Sequence, residues 1–435
     1  MHILLLSGGS GKRLWPLSNE VRSKQFIKLF KNDNGEYESM VQRVYRQISE
    51  TINAGITIAT SKSQVSAIRN QLQDKVSVCV EPCRRDTFPA IVLGAAYLHY
   101  ELGIPQSECV AVCPVDPYVD DSFFETVGRL ERIVESDNAK LTLIGIEPTY
   151  PSEKYGYIIP DSADEISRVK AFKEKPDAET AKRYLECRAL WNAGVFAFKL
   201  GYVLGIGHEM IEFDDYRDLY SKYDKLKKIS FDYAVVEKEP DIQVVRYRGE
   251  WRDVGTWNTM IEVMADKTKG PVITDDKCHE TYVVNELSIP IVCMGCRDMI
   301  VAASGDGIFI SDKERSSHIK PYVEKISDNI MVAEKSWGSY NVIDIQKGSM
   351  TIKVSLKAGQ HMSYHSHKFR DEVWTVVSGN GRTVIDGMEQ NISKGDVLSI
   401  SAGCRHTVEA ITDLEMIEIQ LGENLSVTDK IKYSL

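Results

Sequence analysis

The sequence predicts an α/β domain over residues 1 to about 265, followed by a region built only of strands. In the first part, short apolar runs alternate with amphipathic stretches, which is typical of a mainly parallel sheet with helices on both faces. After about residue 270, short strand-like runs are separated by tight turns and glycines. A chain of 435 residues also exceeds what a single hydrophobic core normally supports, so two or three domains are expected.

Local patterns of apolar residues predict the individual strands and helices. Continuous apolar runs, as expected for strands buried on both faces, predict strands at residues 3–6, 57–59, 76–80, 110–113, 141–146 and 193–198. Apolar residues that recur every three to four positions predict helices at residues 40–48, 62–73, 89–102 and 123–136. Strand-like runs in the second part predict a small β connector at residues 280–285, 289–294, 298–303 and 307–311, and a barrel or sandwich over 340–420.

Charge and composition argue against some classes of binding partner. The formal net charge is −10, whereas a nucleic-acid-binding face needs concentrated positive charge. No apolar run approaches the roughly 18 residues that span a bilayer, and the N-terminus lacks the basic region and cleavage site of a signal peptide. Nine scattered cysteines fit reduced thiols better than a disulfide framework. We therefore expect a cytoplasmic protein without nucleic-acid or membrane partners, and leave open whether it forms a homo-oligomer.

A cluster of glycines, SGGSGKRLWPLS, directly follows the first predicted strand. It is not a Walker A loop, because its GK is followed by arginine where that loop needs serine or threonine. It is not a dinucleotide-binding fingerprint either, because leucine stands where the third glycine belongs. The glycines let backbone amides converge on an anion, and Lys12 and Arg13 bring positive charge to the same place. The segment therefore predicts a phosphate-binding turn.

This turn resembles the opening motif of a known enzyme family. The pattern GxGxRLxPL is typical of sugar-nucleotide pyrophosphorylases, and the fuller form GGxGxRLWPLS, followed by KQF, resembles their mannose-1-phosphate guanylyltransferase branch. Further segments resemble that branch in the same order along the chain: EPCRRDTFPAI at 81–91, PVD at 114–116, YGYI at 155–158, FKEKP at 172–176, LWNAGVF at 190–196, FDYAVVEK at 231–238 and WRDVGTW at 251–257. The resemblance covers most of residues 1–260.

Four positions depart from the pattern of this branch. Asp86 stands where asparagine is usual and Phe88 where alanine is usual, both in the segment that lines the family's nucleotide site. Pro117 replaces a histidine after PVD, and Lys154 replaces the first glycine of the family's GYGYI motif. These departures leave open another sugar 1-phosphate, or CTP or UTP in place of GTP.

The resemblance implies a Rossmann-like (GT-A-like) nucleotidyltransferase domain, which joins a nucleoside triphosphate to a sugar 1-phosphate and releases pyrophosphate; in this branch the substrates are GTP and mannose 1-phosphate. It implies Mg²⁺ held by two of five catalytic residues, Asp116 and Asp253, the others being Arg13, Lys24 and Lys175. It implies nucleotide contacts from Leu6, Gly8, Gly9, Gly11, Lys12, Arg13, Glu81, Arg85, Asp86 and Thr87. It implies sugar contacts from Tyr155, Gly156, Glu174, Lys175, Asn192 and Gly194. A nucleotide-sugar sensor on this fold would be expected to lack a catalytic residue, and none is missing.

A second group of chemistry-bearing residues lies in the C-terminal β region. The first cupin motif, G-x5-HxH-x4-E-x6-G, is matched by Gly359, His365, His367, Glu372 and Gly379. Histidines two residues apart lie on one face of a strand, so both can point into a barrel, with the glutamate arriving nearby. Together with His406, from a segment that resembles the second cupin motif, they form a candidate site for Zn²⁺ or another divalent transition metal.

In the guanylyltransferase branch a C-terminal cupin often carries mannose-6-phosphate isomerase activity, which makes a bifunctional enzyme. The segment RDEVWTVVSG resembles that branch's RxEHWxVVSG. His365 replaces a glutamine found in many relatives, Val373 replaces a histidine, and Thr407 and Ala410 replace the usual arginine and asparagine. The metal-ligand set survives these changes, but they leave open a cupin that binds metal or acts structurally without isomerising a sugar. The predicted domains are a nucleotidyltransferase at 1–265, a β connector at 266–330 and a cupin at 331–435.

Overall fold

The computed structural model describes residues 1–9, 12–326, 330–423, 425 and 429–433. The chain folds into two compact units. The first contains Met1–Gly9, Lys28–Val65 and Asp74–Gly255, and the second contains Ser10–Ile27, Ser66–Gln73 and Thr256–Leu435. Two segments from the first part of the chain thus group with the second unit, and the division into three domains stays a prediction.

The first unit is built around a nine-stranded sheet, with two short two-stranded ribbons beside it. Its strands are β1 (His2–Ser7), β2 (Lys28–Lys31), β3 (Tyr37–Ser39), β4 (Gly55–Ser61), β5 (Ser77–Glu81), β6 (Cys109–Pro114), β7 (Pro117–Val119), β8 (Leu141–Ile146), β9 (Tyr157–Pro160), β10 (Ile166–Lys173), β11 (Leu190–Lys199), β12 (Ile242–Tyr247) and β13 (Trp251–Asp253). Its helices are α1 (Met40–Thr51), α2 (Val65–Leu72), which continues into the second unit, α3 (Thr87–Ala96), α4 (Asp121–Glu135), α5 (Ala178–Glu186), α6 (Leu200–Met210) and α7 (Tyr216–Lys222). All six strands and all four helices predicted for this part of the sequence are found.

The order of strands in the large sheet is β5-β4-β1-β6-β11-β8-β12-β10-β9. Strands β5, β4, β1 and β6 are mutually parallel, and so are β8 and β12. The expectation of a mainly parallel sheet is wrong beyond β6, because β11 runs antiparallel to both of its main neighbours, β6 and β8. An apolar run indicates that a strand is buried but carries no information about its direction, so the sequence pattern could not reveal this reversal.

Helix α3 packs deeply against the sheet. Its sequence, TFPAIVLGAA, is apolar on all sides, and its residues from Phe88 to Ala96 are all buried. Gly94 allows the close approach, because a Cβ atom there would lie 2.5 Å from Leu4 Cδ2 on β1. In the sheet, Leu6 of β1 pairs with Pro114 of β6 in parallel register. The carboxyl ends of these central strands therefore lie side by side.

From Thr256 onward, the second unit first forms a stack of short strands, here called the coil. It contains α8 (Trp257–Met260), β14 (Thr268–Lys269), β15 (Val272–Thr274), β16 (Tyr282–Asn285), β17 (Ile291–Cys293), β18 (Met299–Ser304), β19 (Gly307–Asp312) and α9 (Lys320–Val323). Strands β14, β16 and β18 pair in parallel, as do β15 and β17, and only β19 returns antiparallel. The segment after the glycine turn joins this coil, because the carbonyls of Trp15 and Pro16 accept hydrogen bonds from Trp257 Nε1 at 3.0 Å and Ser304 Oγ at 2.7 Å.

The remainder of the second unit is a barrel-like pair of antiparallel sheets, of six and five strands. Its strands are β20 (Val332–Lys335), β21 (Gly338–Gln346), β22 (Ser349–Leu356), β23 (His365–Ser366), β24 (Asp371–Ser378), β25 (Asn380–Ile385), β26 (Met388–Ser393), β27 (Val397–Ile400), β28 (His406–Ala410), β29 (Leu414–Leu421) and β30 (Ile431–Lys432). The buried side chains of Trp374, Val408 and Met416 belong to its core. In the part of the chain that the structure describes, no helix has the length and apolar character needed to span a membrane.

Candidate functional site

A groove lies at the carboxyl ends of β1 and β6 in the first unit, where α/β sheets commonly bind ligands. It consists of two adjoining cavities of about 330 and 230 Å³, here called the larger and the smaller cavity. Both cavities are lined by Leu6, Thr87, Pro114 and Asp116. The groove can therefore hold two ligands in contact, with Asp116 at their junction.

The larger cavity is lined by the turn after β1 and by the segment that leads into α3. Gly9 has φ +108°, a conformation that favours glycine. Asp86 caps α3, with its Oδ1 accepting from the Thr87 amide at 2.8 Å. The Glu81 carboxylate accepts from the Tyr223 hydroxyl at 2.8 Å, and burial raises the pKa of this carboxyl. The predicted nucleotide-binding residues that line this cavity are Leu6, Gly8, Gly9, Glu81, Arg85, Asp86 and Thr87.

Asp116 and Asp253 both line the smaller cavity. Asp116 follows β6, and Asp253 is the last residue of β13, which pairs antiparallel with β7. The register places Asp253 opposite Pro117, the residue next to Asp116. A carboxylate directly before β7 and another at the end of its partner β13 suit Mg²⁺, which takes one or two carboxylates and completes its shell with water and substrate oxygens. The donor set at this wall of the cavity therefore fits the ion.

The smaller cavity also holds the predicted sugar-binding residues. Those that line it are Tyr155, Gly156, Glu174, Asn192 and Gly194. Glu174 is buried, and its Oε1 accepts from Lys175 Nζ at 2.6 Å. Tyr155 packs against two tryptophans, with ring centroids 4.8 Å from Trp191 and 5.5 Å from Trp251. Carboxylate, amide and aromatic groups around one small space are suited to the hydroxyls and apolar faces of a sugar.

In the second unit, three buried histidines converge inside the barrel. Their ligand atoms lie within 4.8 Å of one another, and the register of β23 and β28 pairs His365 with His406. Each Nδ1 faces a backbone carbonyl: His365 that of Ser363 at 2.6 Å, His406 that of Cys404 at 3.0 Å, and His367 that of Asp429. An Nδ1–H donating to a carbonyl leaves Nε2 with its lone pair, which is the arrangement of metal-binding histidines. These residues fit a divalent transition metal.

The Glu372 carboxylate lies beside two of these three rings. Its Oε1 is 3.1 Å from His367 Nε2, and its Oε2 is 3.3 Å from His406 Nε2. Arg370 Nε donates to Oε1 at 2.9 Å and Trp374 Nε1 donates to Oε2 at 3.1 Å, so both carboxylate oxygens are held in place. Burial lowers the pKa of His365 to about 2, which keeps its imidazole neutral and able to bind metal at neutral pH.

Comparison with known proteins identifies the family to which the first part of the chain belongs. Residues 2–270 match the family model described as Nucleotidyl transferase. The chain belongs to the nucleotidyl transferase family. Residues 324–434 of this nucleotidyl transferase match the model described as Mannose-6-phosphate isomerase C-terminal. The resemblance found in the motifs and the predicted fold class are both confirmed.

Some relatives match this chain over nearly the whole length of both proteins. This nucleotidyl transferase is 28% identical to the mannose-1-phosphate guanylyltransferase of Salmonella montevideo, over 99% of this chain and 98% of the relative. It is also 28% identical to the xanthan biosynthesis protein XanB of Xanthomonas campestris pv. campestris (strain B100), over 99% and 97% of the two chains. The crystal structure of mannose-1-phosphate geranyltransferase from Thermus thermophilus is similar with a TM-score of 0.61 and 29% identity, covering 74% of this chain and 98% of that one.

Some predicted residues of the nucleotidyl transferase are not among those lining the groove. Lys175 contacts the groove through its ion pair with Glu174. Lys12 and Arg13 lie in a 3₁₀ turn and Lys24 begins another, and all three belong to the second unit. Gly11 lies outside the described residues. The assignment of Gly11, Lys12, Arg13 and Lys24 to the triphosphate stays a prediction, and so does that of Lys175 to the sugar phosphate.

The structure also brings residues into the groove to which no sequence motif gave a role. Asp232 and Trp251 line the smaller cavity, and Arg84 lines the larger one. The signal for Asp232 was present, because it stands in the FDYAVVEK segment that matches the family pattern. A segment match alone does not tell which of its side chains faces a ligand.

A Gly156→Ala variant is expected to raise the KM for the sugar phosphate about tenfold, because the site has no room for a methyl group. A Cβ atom at Gly156 would lie 2.5 Å from Glu174 Oε2 and 2.8 Å from Phe172 Cζ, so Glu174 would have to move. Pyrophosphate release at varied sugar 1-phosphate concentration measures this. Gly205→Ala on α6, where a Cβ atom meets nothing within 4 Å, is the matched control and should leave KM unchanged. An unchanged KM in Gly156→Ala would contradict the sugar assignment of Glu174.

Proposed function

We propose that this nucleotidyl transferase joins GTP and mannose 1-phosphate to give GDP-mannose and pyrophosphate. The observation that carries the proposal is the groove of two adjoining cavities, with Asp116 at their junction and Asp253 at the end of β13 in the wall of the smaller cavity. One cavity suits a nucleotide and the other a sugar, so the two substrates would meet beside two carboxylates. The names of the full-length relatives support the choice of guanosine and mannose.

In the proposed reaction, an oxygen of the sugar phosphate attacks the α-phosphorus of the triphosphate. A new P–O bond forms there while the bond from the α-phosphorus to the bridging oxygen breaks, and pyrophosphate leaves with that electron pair. Both reactants are anions, so the protein has chiefly to position them and to offset their charge. The chemistry supplied by Mg²⁺, held by Asp116 and Asp253, is neutralisation of the reacting phosphates.

The remaining residues of the proposed site bind and orient the two substrates. The amides of Gly8 and Gly9 would donate to the triphosphate, with Arg13 and Lys24 holding the departing pyrophosphate. Carboxylates in the larger cavity, such as Asp86, accept hydrogen bonds, which suits the N–H edge of guanine. Lys175 would exchange its partner Glu174 for the sugar phosphate, which leaves Glu174 to accept from sugar hydroxyls.

We further propose that the barrel isomerises mannose 6-phosphate to fructose 6-phosphate. Support comes from the buried site of three histidines and Glu372 and from the isomerase family match over residues 324–434. The chemistry supplied by a divalent metal there, Zn²⁺ or a similar ion, is polarisation of the sugar carbonyl. Arg370 and Trp374 donate to the Glu372 carboxylate and would orient it as a ligand beside the three histidines. Metal-loaded protein given mannose 6-phosphate should form fructose 6-phosphate, and absence of product would leave a cupin that binds metal without isomerising.

The substrate assignment is tested with a panel of triphosphates against a panel of sugar 1-phosphates, read by pyrophosphate release. The expected result is highest kcat/KM for GTP with mannose 1-phosphate, at least about tenfold above UTP and CTP, because a site built to hydrogen-bond one base leaves polar groups unpaired with another. If UTP or CTP performs better than GTP, the guanosine assignment fails while the reaction class stands. Absence of pyrophosphate release with every pair would reject the reaction class itself.

A further inference from the structure

Asp232 is a side chain of the smaller cavity to which the proposed mechanism gives no role. It begins a single π-helical turn, Asp232–Val236, that brings its carboxylate beside β10 and β11. Its Oδ1 accepts from Asn192 Nδ2 at 2.8 Å. Burial, together with the negative charge of Glu174, raises the pKa of Asp232 to about 7. A carboxyl in this setting changes charge within the physiological range.

The hydrogen bond from Asn192 to Asp232 fixes the orientation of the Asn192 carboxamide. Asn192 Oδ1 accepts from the Gly194 amide at 3.0 Å, while Nδ2 donates to Asp232. The opposite orientation would set the amide oxygen against the carboxylate and NH₂ against an N–H group, so both neighbours exclude it. The Asn192 amide also donates to the Gly156 carbonyl at 2.8 Å, which holds its backbone. One N–H and one lone pair of the carboxamide remain for a ligand in the smaller cavity, which Asn192 lines.

We propose that Asp232 is a positioning residue of the sugar site, which holds the Asn192 carboxamide in its binding orientation and weakens sugar-phosphate binding when it is ionised. The proposal rests on the proposed nucleotidyl transfer to a sugar 1-phosphate. It adds a residue that acts through Asn192, and it predicts opposite effects for removing the carboxyl group and for removing only its charge.

The charge effect follows from the groups that face Asp232. Glu174 and Lys175 approach from the end of β10, and Tyr233 is its neighbour on the same turn. Glu174 and Lys175 form an ion pair, so ionised Asp232 leaves this group with one net negative charge. That charge repels the incoming phosphate and competes with it for the Lys175 ammonium. Protonated Asp232 still accepts from Asn192 without this repulsion.

Three variants separate these effects in the full-length protein, assayed at saturating triphosphate with varied sugar 1-phosphate. Asp232→Ala removes the acceptor and should raise KM about tenfold at pH 6, with a smaller change in kcat. Asp232→Asn keeps an acceptor but cannot ionise, so its KM should match the wild type at pH 6. At pH 8 the wild-type KM should be about fivefold higher than that of Asp232→Asn, since ligand binding that favours the protonated form weakens as the carboxyl ionises. The ratio at each pH cancels the ionisation of the substrate, and exposed Asp224→Asn is the matched control.

The outcomes distinguish this inference from the proposed function. If the wild type releases no pyrophosphate with any substrate pair, the proposed function fails. If the wild type is active but Asp232→Ala has wild-type KM, or the ratio of wild-type to Asp232→Asn KM is the same at pH 6 and 8, the inference is overturned. Should Asp232→Ala fail to fold, as judged by thermal unfolding, the pH comparison with Asp232→Asn decides alone. A purely structural role would not produce a pH-dependent ratio.

Discussion

An Asp253→Asn variant is expected to release pyrophosphate at least about a hundredfold more slowly than the wild type, because removing one carboxylate of the proposed magnesium site weakens charge neutralisation in the transition state. The carboxylate stands at the end of β13, opposite Pro117 and beside Asp116 in the smaller cavity. Asparagine has nearly the same shape and can keep hydrogen bonds, so the fold should persist. The initial rate of pyrophosphate release at saturating substrates and Mg²⁺ measures the loss.

The charge rather than the shape of Asp253 is what this variant tests. Asp224→Asn removes an exposed carboxylate and should keep the wild-type rate. Raising the Mg²⁺ concentration should restore part of the lost rate if the remaining carboxylate still binds the ion weakly. Near-normal turnover of Asp253→Asn, with thermal unfolding like that of the wild type, would remove Asp253 from the mechanism. It would also leave Asp116 without its proposed partner.

The local elements of the first unit could be predicted because their signals are local. Strand β1 is a continuous apolar run, α1 begins at a capping box formed by Ser39 and Gln42, and α3 is apolar on all sides. Strand direction and pairing depend on contacts between distant segments. For that reason the antiparallel insertion of β11 and the parallel coil of β14 to β18 were not predicted.

Part of the groove could also be predicted, because some of its residues stand in recognisable local motifs. Family motifs named Asp116, Glu174 and Asn192, all of which line one cavity in the structure. Asp232 was not named, since its role depends on a hydrogen bond to a residue forty positions away. Arg13 was named by the same kind of motif and stays a prediction, because a motif cannot show that the segment carrying it groups with the second unit.

Replacing both His367 and His406 by alanine is expected to abolish isomerase activity and reduce bound transition metal from one ion per chain to none. The ligand atoms of these two histidines converge with that of His365 inside the barrel, and a site that loses two of its four proposed ligands should lose most of its metal affinity. Metal content after dialysis is read by elemental analysis, and isomerase activity by formation of fructose 6-phosphate from mannose 6-phosphate. His361→Ala, at an exposed histidine outside the cluster, should retain both metal and activity.

The double variant also tests whether the two sites are independent. The magnesium site proposed for the groove uses carboxylates of the first unit, whereas the histidine cluster belongs to the second. Pyrophosphate release should therefore stay within about twofold of the wild type, because sites without shared partners are expected to contribute additively. Metal retained by the double variant would contradict the ligand assignment. Lost metal with unchanged isomerisation would show instead that the barrel acts on the sugar without it.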